Sequence, residues 1–407
     1  MSLQKEIPYG DSNPGNGLFR LGRDILDSAN FIRRIGESSL TEKEATCLSL
    51  YFSSIDCHRG PLRLKDSKPE IVDHDGKTVN NCSGINVFGL MNETGFPVQP
   101  GHGPVDGREI TAFLGRLRET GFSYIRFLFP ATPYYLQGKQ PDYDYYKALD
   151  NVMGKLDEVG LGGFPILNYW EGFAGSIDPV FPENLDSEEY LAGQRRHLEK
   201  VLRIGEQHSS FWGLSAFNEV VLFKKADLLK PGITEQTQKN VERLFNYLRT
   251  LKSEAGKNVF FTTGFIFLSK AGILPVSSLF HYDSKTYQTL ARLYNVVDSV
   301  AFIPVWVLGN INSAITPFID KEVSTVKKHI PFEIAEVGVP YDKTEKTIPQ
   351  LKRIGAYIGM LAYRWRPELM AFWQIISDER ATHFRNDFDK FALSESEFKH
   401  MLELTLG

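Results

Sequence analysis

The chain has 407 residues, of which 42% are hydrophobic and 13% aromatic, and this size favours one large domain with additions over several small ones. Its formal net charge of −4, with acidic and basic residues interspersed, argues against a nucleic-acid partner, and no apolar run is long enough for a membrane span. The three cysteines (Cys47, Cys57 and Cys82) lack metal-site spacing and the nine histidines are scattered, so we expect neither a metal nor a disulfide framework.

The first 60 residues are predicted to form a helical extension. A Gly/Pro/Asn-rich start leads into a helical pattern over residues 18–35. Thr41, with Glu44 three residues later, has the pattern of a capping box and begins a second predicted helix. The N-terminus lacks the apolar core of a secretion signal, so we expect a cytoplasmic protein, export by another route, or a signal that has been removed.

Residues 69–79 predict a β-hairpin, because Asp75-Gly76 lies between β-forming residues. Strand and helix patterns alternate after it. The helix predicted from Asp106, for example, places Ile110 and Leu114 on one face. Eight buried strands are predicted, at residues 84–89, 122–129, 163–169, 212–219, 258–265, 297–306, 332–337 and 370–375.

This alternation predicts an α/β fold, a (β/α)8 TIM barrel with an N-terminal helical extension. A doubly wound sheet fits the alternation too, but no Gly-rich phosphate turn follows the first strand. We therefore expect residues 1–60 to form the extension. Residues 61–407 should form the barrel, with the hairpin leading into it and a helix at its C-terminus.

Two glutamates stand where predicted strands end. Glu219 closes the run 212–219, and Glu336 closes the run 331–336. In a parallel barrel the catalytic groups lie at the C-terminal ends of the strands. Two carboxyl groups there are what glycoside hydrolysis requires, one to protonate the leaving oxygen and one to attack the anomeric carbon. In a retaining enzyme they should lie roughly 5 Å apart.

Side-chain alternation gives each of these strands a predicted orientation. Ile334 and Glu336 share one face and Glu333 takes the other. If Ile334 fills the barrel interior, Glu336 points inward at the rim and Glu333 faces the helices. Asn218 and Glu219 are neighbours, so both can reach one site only if that strand end is bent or bulged.

The ordered set of motifs resembles the clan A glycoside hydrolases, nearest in style to glycoside hydrolase family 5, the cellulase-like enzymes. The resemblance runs from about residue 69 to about residue 380. It rests on the hairpin followed by Gly84-Ile85-Asn86, and on segments that resemble strands two, four, seven and eight of that family: Gly121 to Arg126, Phe217-Asn218-Glu219, Ile334 to Gly338, and Ala371-Phe372-Trp373.

The resemblance implies specific roles. Glu219 would be the acid/base and Glu336 the nucleophile, with Arg126 beside the nucleophile and Trp373 as the floor of the sugar site. The other substrate-binding candidates are Asn218, Asn168, Trp170 and Trp306; for any one tryptophan, packing in the core is the alternative. Family members commonly carry histidine near the ends of strands three and six, whereas this chain has Asn168 in the first place and apolar residues in the second.

The sequence therefore predicts a retaining β-glycosidase that acts on a β-linked glucan- or mannan-type carbohydrate or glycoconjugate and needs no cofactor. Two alternatives stay open. The departures at strand six would permit a catalytically inactive carbohydrate-binding protein on the same barrel. A transglycosylase would use the same residues, with a second sugar in place of water.

Overall fold

The computed structural model describes most of the barrel and the helices around it. The described residues are 39–53, 58, 60–65, 69–87, 90, 107–129, 142–168, 185, 188–217, 235–265, 296–302, 320, 323–324, 326–337, 348–372, 375–376 and 393–407. The helix predicted at residues 18–35 lies outside them. Among them, no helix is long and apolar enough to cross a membrane.

Eight parallel strands close into a barrel, as the sequence predicts. Each strand pairs in parallel with both of its neighbours, and the last pairs with the first. In chain order the strands are β4 (Cys82–Asn86), β5 (Tyr124–Leu128), β6 (Gly162–Ile166), β7 (Gly213–Ser215), β8 (Phe260–Phe265), β9 (Ser299–Phe302), β10 (Phe332–Val337) and β11 (Leu369–Phe372).

Amphipathic helices follow the strands and cover the outside of the barrel. The helix predicted from Asp106 begins at Gly107, and its residues Ile110 and Leu114 are buried as expected. The described helices are α1 (Glu42–Ser53), α2 (Gly107–Glu119), α3 (Asp142–Val159), α4 (Glu188–Gly205), α5 (Glu235–Ala255), α6 (Ile348–Trp365) and α7 (Glu395–Leu406).

The predicted hairpin forms and covers the N-terminal end of the barrel. Strands β1 (Arg63–Leu64), β2 (Ile71–Val72) and β3 (Thr78–Val79) pair antiparallel. Gly76 takes a φ of +80° in the turn between β2 and β3, a conformation that glycine adopts without strain. A second small sheet, β12 (Ile375–Ile376) with β13 (Leu393–Ser394), leads into α7, where Ser394 and Glu397 form a capping box.

The buried apolar residues of the barrel form two clusters. The larger one lies between strands and helices and includes Ile85, Ile125 and Ile334. The smaller one holds the alternate strand residues and the underside of the hairpin, so it fills the N-terminal half of the barrel interior. Its members are Leu62, Ile71, Val79, Cys82, Tyr124, Phe164, Trp212, Phe260, Leu369 and Ala371.

Helix α1 packs into the outer layer against α6 and α7. The predicted capping box is present, since the Glu44 carboxylate accepts from the Thr41 amide at 2.8 Å. Leu48 is fully buried, and the Tyr51 hydroxyl donates to the carbonyl of Pro367 at 2.6 Å, in the connection before β11. A domain boundary at residue 60 stays a prediction, but the packing of α1 is continuous with the barrel.

Deletion of the Leu48 side chain should therefore destabilise the barrel. We expect Leu48→Ala to lower the free energy of unfolding by about 2–5 kcal/mol, because it leaves a cavity under α1. Leu50, on the same helix and 47% exposed, provides the matched control, and Leu50→Ala should change stability by less than about 0.5 kcal/mol. Denaturant unfolding measures both. Equal, small effects would mean that α1 is an appendage.

Candidate active site

The C-terminal ends of β4, β5, β10 and β11 are joined by a buried polar network. One guanidinium nitrogen of Arg126 donates to the side-chain oxygen of Asn86 at 2.8 Å and to the carbonyl of Ala335 at 2.7 Å. The Asn86 amide nitrogen donates to the same Ala335 carbonyl at 2.8 Å and to the carbonyl of Phe372 at 2.7 Å. All four residues are buried, so these contacts fix the rim without help from solvent.

A β-bulge lies directly before Glu336. Along β10 and β11, Ile334 pairs with Met370 and Val337 with Phe372, so β10 has one extra residue between the two pairs. Such a bulge changes which face the following side chain takes. Val337 joins the outer apolar cluster, so its neighbour Glu336 takes the inner face. Glu336 is fully buried there, one residue after the carbonyl that Arg126 and Asn86 hold.

The predicted orientation of Ile334 and Glu333 was wrong. Ile334 packs in the outer cluster between strands and helices, and Phe332 contacts Trp365 of α6 edge to face. Glu333 therefore lies inside the barrel, where it interacts with Arg126 and Ser299. The physical reason is that β10 is apolar toward both sides, so alternation alone does not identify the inner face.

Burial changes the protonation of Glu333. Loss of hydration raises the pKa of this carboxyl from its ordinary 4.5 to about 7, against the lowering effect of the Ser299 hydroxyl and the Arg126 charge. A hydroxyl has one proton, and the Ser299 hydroxyl also donates to the carbonyl of Pro331 at 3.1 Å. The Thr262 hydroxyl, the other hydroxyl that interacts with this carboxyl, donates to the carbonyl of Ser299 at 3.3 Å. Each hydroxyl can donate its single proton either to that carbonyl or to an ionised Glu333, and donation to the ionised carboxyl is what lowers the pKa of Glu333.

We expect the stability of the protein to fall as the pH rises from about 4.5 to about 7 because of Glu333. In that window folded Glu333 keeps a proton that the unfolded chain has lost, and the difference corresponds to about 3 kcal/mol. The variant Glu333→Gln has no ionisable group at this position. Between pH ~5 and ~8 its free energy of unfolding should therefore rise relative to that of wild type by about that amount. Urea unfolding at the two pH values measures it. Glu199→Gln, at an exposed side chain, should show no such change.

Asn168 lies at the end of β6 in a different buried network. Its amide nitrogen donates to the carbonyl of Ala216 and to the Tyr247 hydroxyl, each at 2.9 Å. The Tyr190 hydroxyl donates to its side-chain oxygen at 3.2 Å. Tyr190 lies on α4 and Tyr247 on α5, so Asn168 connects the end of β6 to two helices. This structural role is sufficient to explain why the residue is buried. Its contact with a sugar stays a prediction.

The remaining predicted site residues lie outside the described part of the chain: Asn218, Glu219, Trp170, Trp306 and Trp373. The separation between Glu219 and Glu336 stays a prediction with them. The structure adds two residues that had no predicted site role, Asn86 and Glu333. Their signal was a polar side chain inside a buried apolar strand. Within the described residues, no cluster of three or more metal-ligating side chains occurs.

No protein-family model and no curated protein matches the sequence. Among solved structures, the endo-1,4-β-mannanase from Rhizomucor miehei aligns with a TM-score of 0.60 at 14% identity, over 85% of this chain and 98% of that one. A glycoside hydrolase family 5 mannosidase from the same organism gives 0.56 at 11% identity, over 85% and 97%. The endo-β-1,4-mannanase from Thermotoga petrophila gives 0.55 at 14% identity, over 79% and 76%. The chain thus has the same barrel fold as these glycoside hydrolase structures, as the resemblance predicted.

Proposed function

We propose that this protein is a retaining β-glycosidase in which Glu336 is the nucleophile and Glu219 the acid/base. The observation that carries the proposal is the network of Arg126, Asn86 and the Ala335 carbonyl directly beside Glu336. It stands at the C-terminal ends of parallel barrel strands, where enzymes with this architecture place their chemistry. A buried arginine at that position supplies the positive charge that keeps a nucleophilic carboxylate ionised.

Each residue would then have a defined task. The Arg126 charge favours the ionised form of Glu336, which attacks the anomeric carbon while Glu219 gives its proton to the departing oxygen. Glu219 next takes a proton from water, and that water displaces Glu336 and releases the sugar with its original configuration. Asn218, Trp170, Trp306 and Trp373 are our proposed sugar contacts. The scheme uses no cofactor.

For the substrate we propose β-1,4-linked mannan or a related glucan, as polymer, oligosaccharide or glycoconjugate. The support is that structures with the same barrel fold are described as mannanases and a mannosidase. Mannose and glucose differ only in the configuration at C2, so both sugars need to be tested. Recognition at C2 falls to residues near the nucleophile, and Asn218 is our candidate.

The deciding experiment is a paired assay on aryl β-mannosides and β-glucosides and on soluble β-mannans and β-glucans. We expect turnover of at least one class, with the product anomer followed by NMR and transfer products by chromatography. Predominant transfer to a second sugar would identify a transglycosylase. Tight binding of oligosaccharides without turnover of any substrate would identify a carbohydrate-binding protein and overturn the proposal.

A further inference from the structure

Glu333 lies inside the barrel on the same strand as Glu336, three residues before it. Only 3% of its surface is exposed, and one of its carboxyl oxygens accepts no hydrogen bond. A carboxyl in this position is costly, because a buried polar atom without a hydrogen bond destabilises the fold. An apolar residue would fill the space at no such cost. A role for this carboxyl therefore has to come from its interactions with charged neighbours.

Those neighbours come from every strand packed around Glu333. On β5, Arg126 attracts its negative charge. Burial, and after it the charge of Glu333, raises the pKa of the Tyr124 hydroxyl on the same strand. Just before β11, Glu368 repels the charge. On β8 and β9 the facing groups are the Thr262 and Ser299 hydroxyls. Arg126 is thus the one cation that acts on Glu333 among the described residues.

We propose that Glu333 is a positioning residue that competes with the active-site rim for Arg126. The proposal rests on the proposed function, in which Arg126 serves Glu336. When Glu333 is neutral, the guanidinium is left to hold the Ala335 carbonyl and Asn86 at the rim. When Glu333 is ionised, its charge draws the guanidinium toward the barrel interior and loosens the segment that orients Glu336.

The ionisation of Glu333 falls in a range that matters for activity. Its pKa of about 7 means that the neutral form predominates in mild acid and the charged form in mild base. We therefore expect the formation of the glycosyl-enzyme to slow as the pH rises through about 7. A shift of the nucleophile by even a fraction of an ångström is sufficient, since a misplacement of about 1 Å can cost about 10²-fold in rate.

The test uses kcat/KM for a 2,4-dinitrophenyl β-glycoside of the sugar that the wild-type protein accepts, measured from pH ~5.5 to ~9. This leaving group departs without protonation, so the protonation of Glu219 does not shape the profile, which reports ionisations of the free enzyme. We expect wild type to lose roughly tenfold across neutral pH, a loss consistent with sub-ångström misplacement. Glu333→Gln, which keeps the shape of the side chain without its charge, should remove that loss.

Two further variants separate positioning from a general effect on the fold. Ser299→Ala removes a hydroxyl that favours the charged carboxyl, so the midpoint of the loss should move to higher pH. Glu368→Gln removes a neighbouring repulsive charge that has no contact with Arg126 among the described interactions, so the loss should remain, with its midpoint at slightly lower pH.

The outcomes distinguish the two proposals. An active wild type whose profile superposes on that of Glu333→Gln, or a midpoint that does not respond to Ser299→Ala, would overturn the role of Glu333 and leave the glycosidase intact. A wild type that turns over no β-glycoside would overturn the proposed function itself, and the role of Glu333 in it. Three results together support the proposal: wild type loses kcat/KM across neutral pH, Glu333→Gln does not, and in Ser299→Ala the midpoint of the loss lies at higher pH.

Discussion

Glu336→Ala should lower the turnover of every β-glycoside substrate by about 10⁴–10⁶-fold. Without the carboxylate no glycosyl-enzyme can form, so the loss should not depend on the quality of the leaving group. Removal of an acid catalyst has a different effect, because substrates with good leaving groups still react without it. Steady-state kinetics with a natural-type oligosaccharide and with a dinitrophenyl glycoside measure both cases.

Two controls test whether the effect of Glu336→Ala is specific to the site and not caused by unfolding. Glu199→Ala, at an exposed position on α4, removes a glutamate far from the rim and should leave kcat and KM unchanged. The folded state of Glu336→Ala should be verified by its unfolding midpoint. Added azide can occupy the vacated space and attack the anomeric carbon directly, giving the inverted glycosyl azide. Near-normal turnover of either substrate by folded Glu336→Ala would exclude Glu336 as the nucleophile.

The barrel could be predicted from sequence because its strands are short apolar runs separated by amphipathic helices. The strands placed near residues 84, 122, 163 and 332 all form within about two residues of their predicted starts. These runs are continuous because a parallel strand is buried on both faces. The same property hid the orientation of β10, since Phe332 and Ile334 suit the outer face as well as the inner one.

The bulge in β10 had no local signal either. Its effect is to add one residue between the pairs Ile334–Met370 and Val337–Phe372, and only the register with the neighbouring strand reveals it. Strict alternation from Glu333, now placed inside the barrel, would have turned Glu336 outward. The candidate nucleophile thus reaches the inner face for a reason other than the predicted one.

The buried polar network was beyond sequence reasoning for a related cause. Asn86 and Arg126 meet the Ala335 carbonyl across 249 and 209 positions of chain, so no spacing rule joins them. The family resemblance placed Arg126 beside the nucleophile, but it gave no partner for Arg126 and no site role for Asn86. It is the closure of the barrel, which sets β4 between β5 and β11, that brings them together. The interior position of Glu333 follows from the same closure.

Glu219→Ala should separate two classes of substrate, which makes it the sharpest test of the second glutamate. Turnover of natural sugars should fall by about 10²–10⁴-fold, because their leaving oxygen needs the proton that Glu219 supplies. A dinitrophenyl glycoside needs no such proton, so its first step should survive. Its second step lacks the base that activates water, and the glycosyl-enzyme should therefore accumulate and give a burst of released phenol.

Azide then decides the role. It attacks the accumulated glycosyl-enzyme without deprotonation, so it should restore steady turnover of the dinitrophenyl glycoside by Glu219→Ala and give a β-glycosyl azide, the configuration of the substrate. Glu206→Ala, at an exposed turn after α4, is the matched control and should respond to azide as wild type does. Rescue of Glu336→Ala with a retained product, and of Glu219→Ala with an inverted one, would exchange the two assignments. If Arg126 serves the nucleophile as the rim network suggests, that exchange should not occur.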